Sequence, residues 1–249
     1  MSDSLIQNGQ LDISNNPVIN ELLGFVQAVT PTVPVSVGNT VSYETGRTTY
    51  HVGVSGVFVD DENYPKPVNV AVANSPFSRV GRVRLSRSFP TTPTSGDTEN
   101  ENTSTFSPGN PTFTGAMTAY QKQTDRPIEP GSIKVNNLTI PFSNGISIKG
   151  NAIFAVRRKQ INRVKGGGVR VTCNFILNGN ITFTGNTPFG SNETAYQTFA
   201  ADIRTDNGRK MTGDVIVPQM SVDIDYENQT PTQIDMRGMF NGLVTFADV

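Results

Sequence analysis

The 249-residue sequence predicts a mainly β protein: an antiparallel β-sandwich or barrel with one or two short helices, a long protruding loop and a candidate internal duplication. Three observations carry that expectation. Glycine (23) and proline (16) stand beside abundant Thr, Asn, Val and Ser, a composition that suits strands joined by turns better than a helical bundle. Apolar and polar residues alternate with period two along several runs, which turns one side of each run toward a core. Finally, one stretch occurs twice. Residues 109–115 (GNPTFTG) with TAYQ at 118–121 are echoed by residues 179–185 (GNITFTG) with TAYQ at 194–197, and KVNNLTIP at 134–141 is answered by KMTGDVIVP at 210–218. Three blocks at nearly constant spacing predict a duplication over residues 109–150 and 179–225.

The length is enough for one large β domain or two small ones. We divide it into an N-terminal arm and short helix (residues 1–30) and a β-rich assembly domain (residues 31–249). Charged residues are 16% and the formal net charge is -1, so the overall balance draws the chain neither to nucleic acid nor to an anionic membrane. Cys173 is the single cysteine, so stability is expected from packing, pairing or assembly rather than from an internal disulfide. The first sixteen residues lack the basic and apolar regions of a secretory leader, and no window has the roughly 20 apolar residues of a spanning helix. The Asn-x-Ser/Thr triplets at Asn102, Asn137, Asn180, Asn192 and Asn228 are accordingly read as products of an Asn- and Thr-rich composition.

Residues 1–16 are polar and read as an arm. Asn15 or Asn16 then caps a predicted helix with Pro17 in its first turn and Val18, Ile19, Leu22, Leu23 and Val26 at helical spacing, ending before Pro31. Strand-like runs follow at residues 35–43, 48–59 and 68–73. His51 lies in an alternating run and reads as a strand residue rather than a catalytic one. In the run with Arg79, Arg82, Arg84 and Arg87, strand geometry puts Arg82 and Arg84 on one face. That row reads as a solvated edge or a subunit contact, whereas a nucleic-acid groove would interleave aromatics, and only Phe77 and Phe89 flank it.

Residues 88–110 hold almost no apolar side chain and predict a protruding loop able to reach a neighbouring copy. Residues 132–141 and 146–156 read as strands about Ser143-Asn144-Gly145, and residues 152–164 and 169–184 as a long hairpin about Gly166-Gly167-Gly168. Its outgoing arm carries Arg157, Arg158, Lys159, Arg163 and Lys165, a basic tip suited to an acidic patch on another subunit. On the returning arm Cys173 falls on the apolar side, as a buried small hydrophobe. Tyr196, Phe199, Ala200 and Ile203 at i, i+3, i+4 and i+7 predict a second helix, after Ser191 or Asn192 and before Asn207-Gly208. Strands at 215–217 and 221–226 and a closing segment at 236–246, with Phe240, Leu243 and Phe246 for the core, complete the chain.

Asp223, Asp225 and Glu227 alternate and so share a strand face. A flat strand wraps a calcium ion poorly, and acid/base catalysis needs a pocket with a partner of different pKa, so the row reads as a solvated face or a channel wall that repels phosphates. The glycine triplet lacks the phosphate-loop pattern, one His and one Cys make no zinc site, and no GxSxG is present. No enzyme, cofactor or metal is expected.

The order of a long basic-tipped hairpin, a single helix and closing strands about Asn207-Gly208 resembles the tail-tube fold of bacteriophages. The resemblance covers residues 150–249 and rests on element order, with no residue motif. It implies a virion protein assembled in the host cytoplasm, a homo-oligomer of stacked rings whose inner strands line a channel for transient, non-specific DNA passage, in contact with other virion proteins and no membrane. It makes Asp223, Asp225 and Glu227 candidate lumen-facing residues, and the arm at residues 1–16 and the loop at 88–110 candidate links between rings. Arg82, Arg84, Arg157, Arg158, Lys159, Arg163 and Lys165 are the candidate subunit contacts. A tube subunit need not contain a duplication, which keeps a tail terminator or capsid decoration protein open. A β-sandwich carbohydrate-binding or adhesin module is a further alternative, although that class favours surface aromatics and the chain has no Trp.

Overall fold

The computed structural model describes residues 4–6, 19–30, 32–37, 40–58, 71–94, 105–121, 132–161, 169–192, 197–204 and 209–248. Sixteen strands account for most of them. In the first half these are β1 (Ser4–Ile6), β2 (Ile19–Val29), β3 (Thr32–Val37), β4 (Thr40–Thr45), β5 (Thr49–Phe58), β6 (Arg79–Ser88), β7 (Thr91–Pro93) and β8 (Phe106–Pro108). The second half contributes β9 (Thr112–Gln121), β10 (Ser132–Ser143), β11 (Ile146–Ile161), β12 (Val169–Thr184), β13 (Thr198–Arg204), β14 (Arg209–Asp225), β15 (Gln233–Phe240) and β16 (Thr245–Asp248). Every named pairing is antiparallel. Twelve strands form one sheet in the order β1-β2-β5-β15-β14-β6-β9-β12-β11-β10, with β13 and β16 added to β14.

Strand β14 is the spine. On one flank it pairs β6 through Gln219 to Asp225 and β13 through Lys210 to Ile216; on the other it pairs β15 and then β16. The change of partner falls at Pro218, where a bulge interrupts the register between Ile216 and Gln219. Proline has no N–H to give to a ladder, so a bulge is where a long strand tolerates it. Its carbonyl still accepts the N–H of Phe89 at 3.1 Å, tying the end of β6 to the branch.

The sheet folds over on itself without closing into a barrel. β5 and β10 lie far apart in strand order, yet the rings of Phe58 and Phe142 are 6.5 Å apart. Phe189 bridges Phe142 and Phe113 at 6.1 and 5.5 Å, and the Tyr226 hydroxyl donates to the Pro141 carbonyl at 2.6 Å. The core between the two halves takes one side of each strand: Val83 and Leu85 of β6, Val222 and Ile224 of β14, Val171, Cys173 and Phe175 of β12, and Phe154 of β11. This is a sandwich-like, mainly β architecture, as the alternation predicts.

Where the two expected helices fall on described residues they are strands; residues 15–18 and 193–196 lie outside the described residues. Residues 19–29 pair with β5, and between Asn20 and Leu23 the register slips by one residue. A bulge of this kind shifts the phase of a period-two pattern, so its apolar residues come to mimic helical spacing. In residues 198–204 both periods are present; Ala201 and Ile203 are buried, and pairing along Met211 to Ile216 selects the strand. The predicted strand at 35–43 is instead the β3–β4 hairpin, with Val37 opposite Thr40 and residues 38–39 outside the described residues. Of the run at 68–73 only residues 71–73 are described, and Ala73 makes an isolated bridge to Thr139 rather than a strand. The predicted strands at 215–217 and 221–226 are one strand. At the C-terminus Phe240 is buried, but Leu243 and Phe246 are exposed and do not join the core.

The polar excursion after Ser88 opens as a ribbon, β7 against β8, held by Gly109 N–H to Pro90 and by Phe106 N–H to the Asn241 side chain at 2.6 Å. Residues 95–104 lie outside the described residues. In the arm, Ser4–Ile6 pairs with β2 of its own chain. The two copies of the repeated stretch take different places, the first opening β9 and the second ending β12; they meet where Phe113 and Phe183 pack at 5.9 Å.

Candidate functional site: the outward face of the central sheet

The acidic and basic rows read from the sequence lie on adjacent strands of one face. In register Arg84 opposes Asp223 and Arg82 opposes Asp225. Arg82 reaches diagonally to Asp223, donating from Nε and Nη2 at 2.6 Å each. This bidentate pair raises the Arg82 pKa, through the hydrogen bond to Asp223 first. Arg84 donates to the Ser221 hydroxyl at 3.2 Å and lies 3.8 Å from Asp235, which in turn accepts from Ser55 at 2.8 Å. The acidic row is therefore interleaved with guanidinium groups.

Asp225 and Glu227 have duties of their own. β14 ends at Asp225, whose carboxylate accepts the N–H groups of Glu227 and Asn228 at 3.0 and 2.8 Å and the Asn228 side-chain amide at 2.8 Å. Burial pushes the Asp225 pKa up, but the Asn228 and Glu227 hydrogen bonds outweigh it and hold the carboxyl below its usual range. Glu227 falls in the turn beyond the strand, where Tyr120 donates to it at 3.1 Å. Asp225→Ala is expected to cost about 1–2 kcal/mol, the loss of a charged turn cap. A carboxyl depressed in the folded state stabilises fully above its unfolded pKa near 4 and loses that contribution as pH falls through the lower folded value. Chemical denaturation at pH 7 and at about pH 2 checks this: the difference between wild type and variant should shrink at the lower pH.

The remaining candidates are dispersed. Arg158 is exposed on β11 opposite Thr172, just after a bulge, whereas the side chains of Arg157 and Lys159, and all of Arg163 and Lys165, lie outside what is described. Arg87 has the opposite parity to Arg82 and Arg84 and points inward. It is 1% exposed, its guanidinium is 5.9 Å from the Phe89 ring centre, and burial lowers its pKa to about 10, so it stays charged at neutral pH. Cys173 is fully buried, and burial pushes its thiol up to about 12. Among the described residues no three His, Cys, Asp or Glu side chains are placed to hold a metal ion.

Cross-strand register builds a row that the sequence did not reveal. Ser86, Ser221, Asp235 and Ser55 stand opposite one another on β6, β14, β15 and β5. The row continues the other way through Thr114, Ile176 and Ile153 on β9, β12 and β11. On one side of the serines run Ser88, Gln219 and Arg237, and on the other Arg84, Asp223 and Gln233. Short side chains between longer ones leave a groove. One part, of about 570 Å³, lies over β5 to β6, and a second, of about 550 Å³, over β6 to β11; they share Arg84 and Ser86. Seven strands at about 4.8 Å spacing make the whole trough about 29 Å long, polar at one end and apolar at the other. The alternation of Asp235 and Arg237 with buried Ile234 and Met236 marks a strand face in the sequence, but not which neighbours it meets.

No family model, no curated protein and no solved structure matches this chain.

Proposed function

We propose that the chain is a self-assembling structural protein of a virus particle, a phage tail-tube-like subunit that forms a ring or channel for DNA; a tail terminator or capsid decoration protein would use the same kind of contact. The observation that carries the reading is the β3–β4 hairpin. Among the described residues it pairs only with itself and makes no extensive contact with other strands, while Val41 and Tyr43, on one face two residues apart, are 59% and 71% exposed. A lone two-stranded ribbon is marginal in water, so a neighbour is the natural source of its stability. A patch of one kind meeting a different patch on the next copy gives rings or filaments. In such an assembly the face carrying Asp223, Asp225 and Glu227 is the one assigned to the lumen. Its carboxylates alternate with Arg79, Arg82 and Arg84, so passing phosphates meet a balanced surface.

Negative-stain electron microscopy of the purified chain is expected to show rings or filaments. The double variant Val41→Ser, Tyr43→Ser should raise the concentration needed for assembly about tenfold or more, from the lost apolar burial, without unfolding the sheet. Assembly untouched by the variant would remove the hairpin from the contact. A second reading, a carbohydrate-binding or adhesin module, is favoured by the serine-lined groove, which offers hydroxyl and guanidinium groups in place of stacking rings.

A further inference from the structure

We propose that the polar half of the trough binds a sugar carrying a single carboxylate, a uronic acid residue, with its ring lying over the serine row. The inference rests on the carbohydrate-binding reading of the groove and not on the assembly reading.

Charge sets the ligand's sign. Asp223 faces the groove region but already accepts from two of the three guanidinium nitrogens of Arg82, Nε and Nη2. Arg87 also borders the groove but its side chain points to the core side of β6, so what remains on the open face is Arg84 and Arg237 against Asp235, two guanidinium groups and one carboxylate, which leaves one positive charge for one anionic group. Arg84 is engaged by Ser221 and, at the long distance of 3.8 Å, by Asp235. Arg237 is exposed and makes no ion pair with a described residue, so it is the group that takes the carboxylate.

Spacing sets the ligand's size. Arg237 and Arg84 sit on β15 and β6 with β14 between them, and four residue positions apart along the strands, at the levels of Gln219 and Asp223. Their Cα atoms are therefore about 17 Å apart, and two arginine side chains flanking the serine row from opposite sides leave room for a sugar ring between their guanidinium groups. A lone tetrahedral anion cannot use both.

The floor sets the rest. Ser86, Ser221 and Ser55 present hydroxyls that donate and accept, Gln219 adds an amide at the rim, and Arg84 keeps N–H groups for ring hydroxyls. Longer chains of linked sugars would continue toward Ala116 and Ile176, where the floor becomes apolar and suits C–H faces.

Saturation-transfer NMR and titration calorimetry test this with three probes: glucuronate, glucose and inorganic phosphate. Saturation transfer is read on the ligand and works on assembled or free protein alike. Glucuronate should bind at least about tenfold more tightly than either of the others, reflecting a charged hydrogen bond added to a hydroxyl network. Arg237→Gln should weaken glucuronate about tenfold, and Asp235→Asn should strengthen it several-fold by removing a competing like charge. That opposite sign separates binding at this groove from general damage to the fold. Equal affinity for glucose and glucuronate would overturn the acid preference while leaving a carbohydrate site. Equal affinity for phosphate, or no binding of any sugar, would overturn the site itself.

Discussion

Phe142→Ala is expected to lower the free energy of unfolding by about 3–5 kcal/mol, as large-to-small changes at fully buried aromatics do. Phe142 is fully buried on β10 at one end of the strand order, and its ring meets Phe58 of β5 and Phe189 of the segment after β12. It is the clearest single contact by which the folded-over sheet holds its two halves together. For a chain of this size the midpoint of thermal unfolding should fall by roughly 6–20 °C. Leu243→Ala, at an exposed position, should stay within about 0.5 kcal/mol. A loss at Phe142 no larger than at Leu243 would mean that the two halves do not meet there.

Gly115→Ala is the second large effect, in the opposite sense of packing. A Cβ at this position would overlap the Phe175 ring and come within 2.9 Å of the Arg84 carbonyl oxygen. Phe175 is itself wedged against Phe154, with ring centres 5.3 Å apart, so it has little room to yield. Overpacking of this kind costs about 1–3 kcal/mol, and more where backbone must move. Because the clash is mostly with the ring, Phe175→Leu should recover part of the loss in the double variant, giving a coupling energy outside additivity. Strict additivity of the two changes, measured by urea denaturation, would place the ring elsewhere.

Gly115 also shows what a sequence does and does not disclose. It closes the first copy of the repeated stretch, and Gly185 closes the second. The first is glycine because a ring occupies the space of its side chain, the second because its backbone takes a φ of +67°. An identical residue in an identical local pattern answers two different physical demands, and the copies do not occupy equivalent places in the sheet.

Strands whose alternation is uninterrupted were legible. The inward Val83 and Leu85, the outward Arg82 and Arg84 and the buried side of Cys173 all follow from period two. Where a bulge shifts the phase, as at Asn20 to Leu23, the same rule produces a false helix. Tertiary pairing decides such cases, because β propensity is settled by neighbours rather than by the isolated segment.

The candidate site was legible only by halves. Asp223 and Arg82 could each be assigned to a face from the chain alone, but their bond joins residues 141 positions apart, and no local pattern encodes it. The same holds for the row of Ser86, Ser221 and Ser55. Serine is unremarkable in any one strand, and a groove arises only when register sets several short side chains side by side between longer ones.

The assembly claim is tested most directly by sedimentation velocity of the purified full chain over a wide range of concentration. A monomer is expected to give way to discrete larger species as concentration rises, with that transition displaced in the Val41→Ser, Tyr43→Ser variant. A single monomeric boundary at every concentration would contradict it.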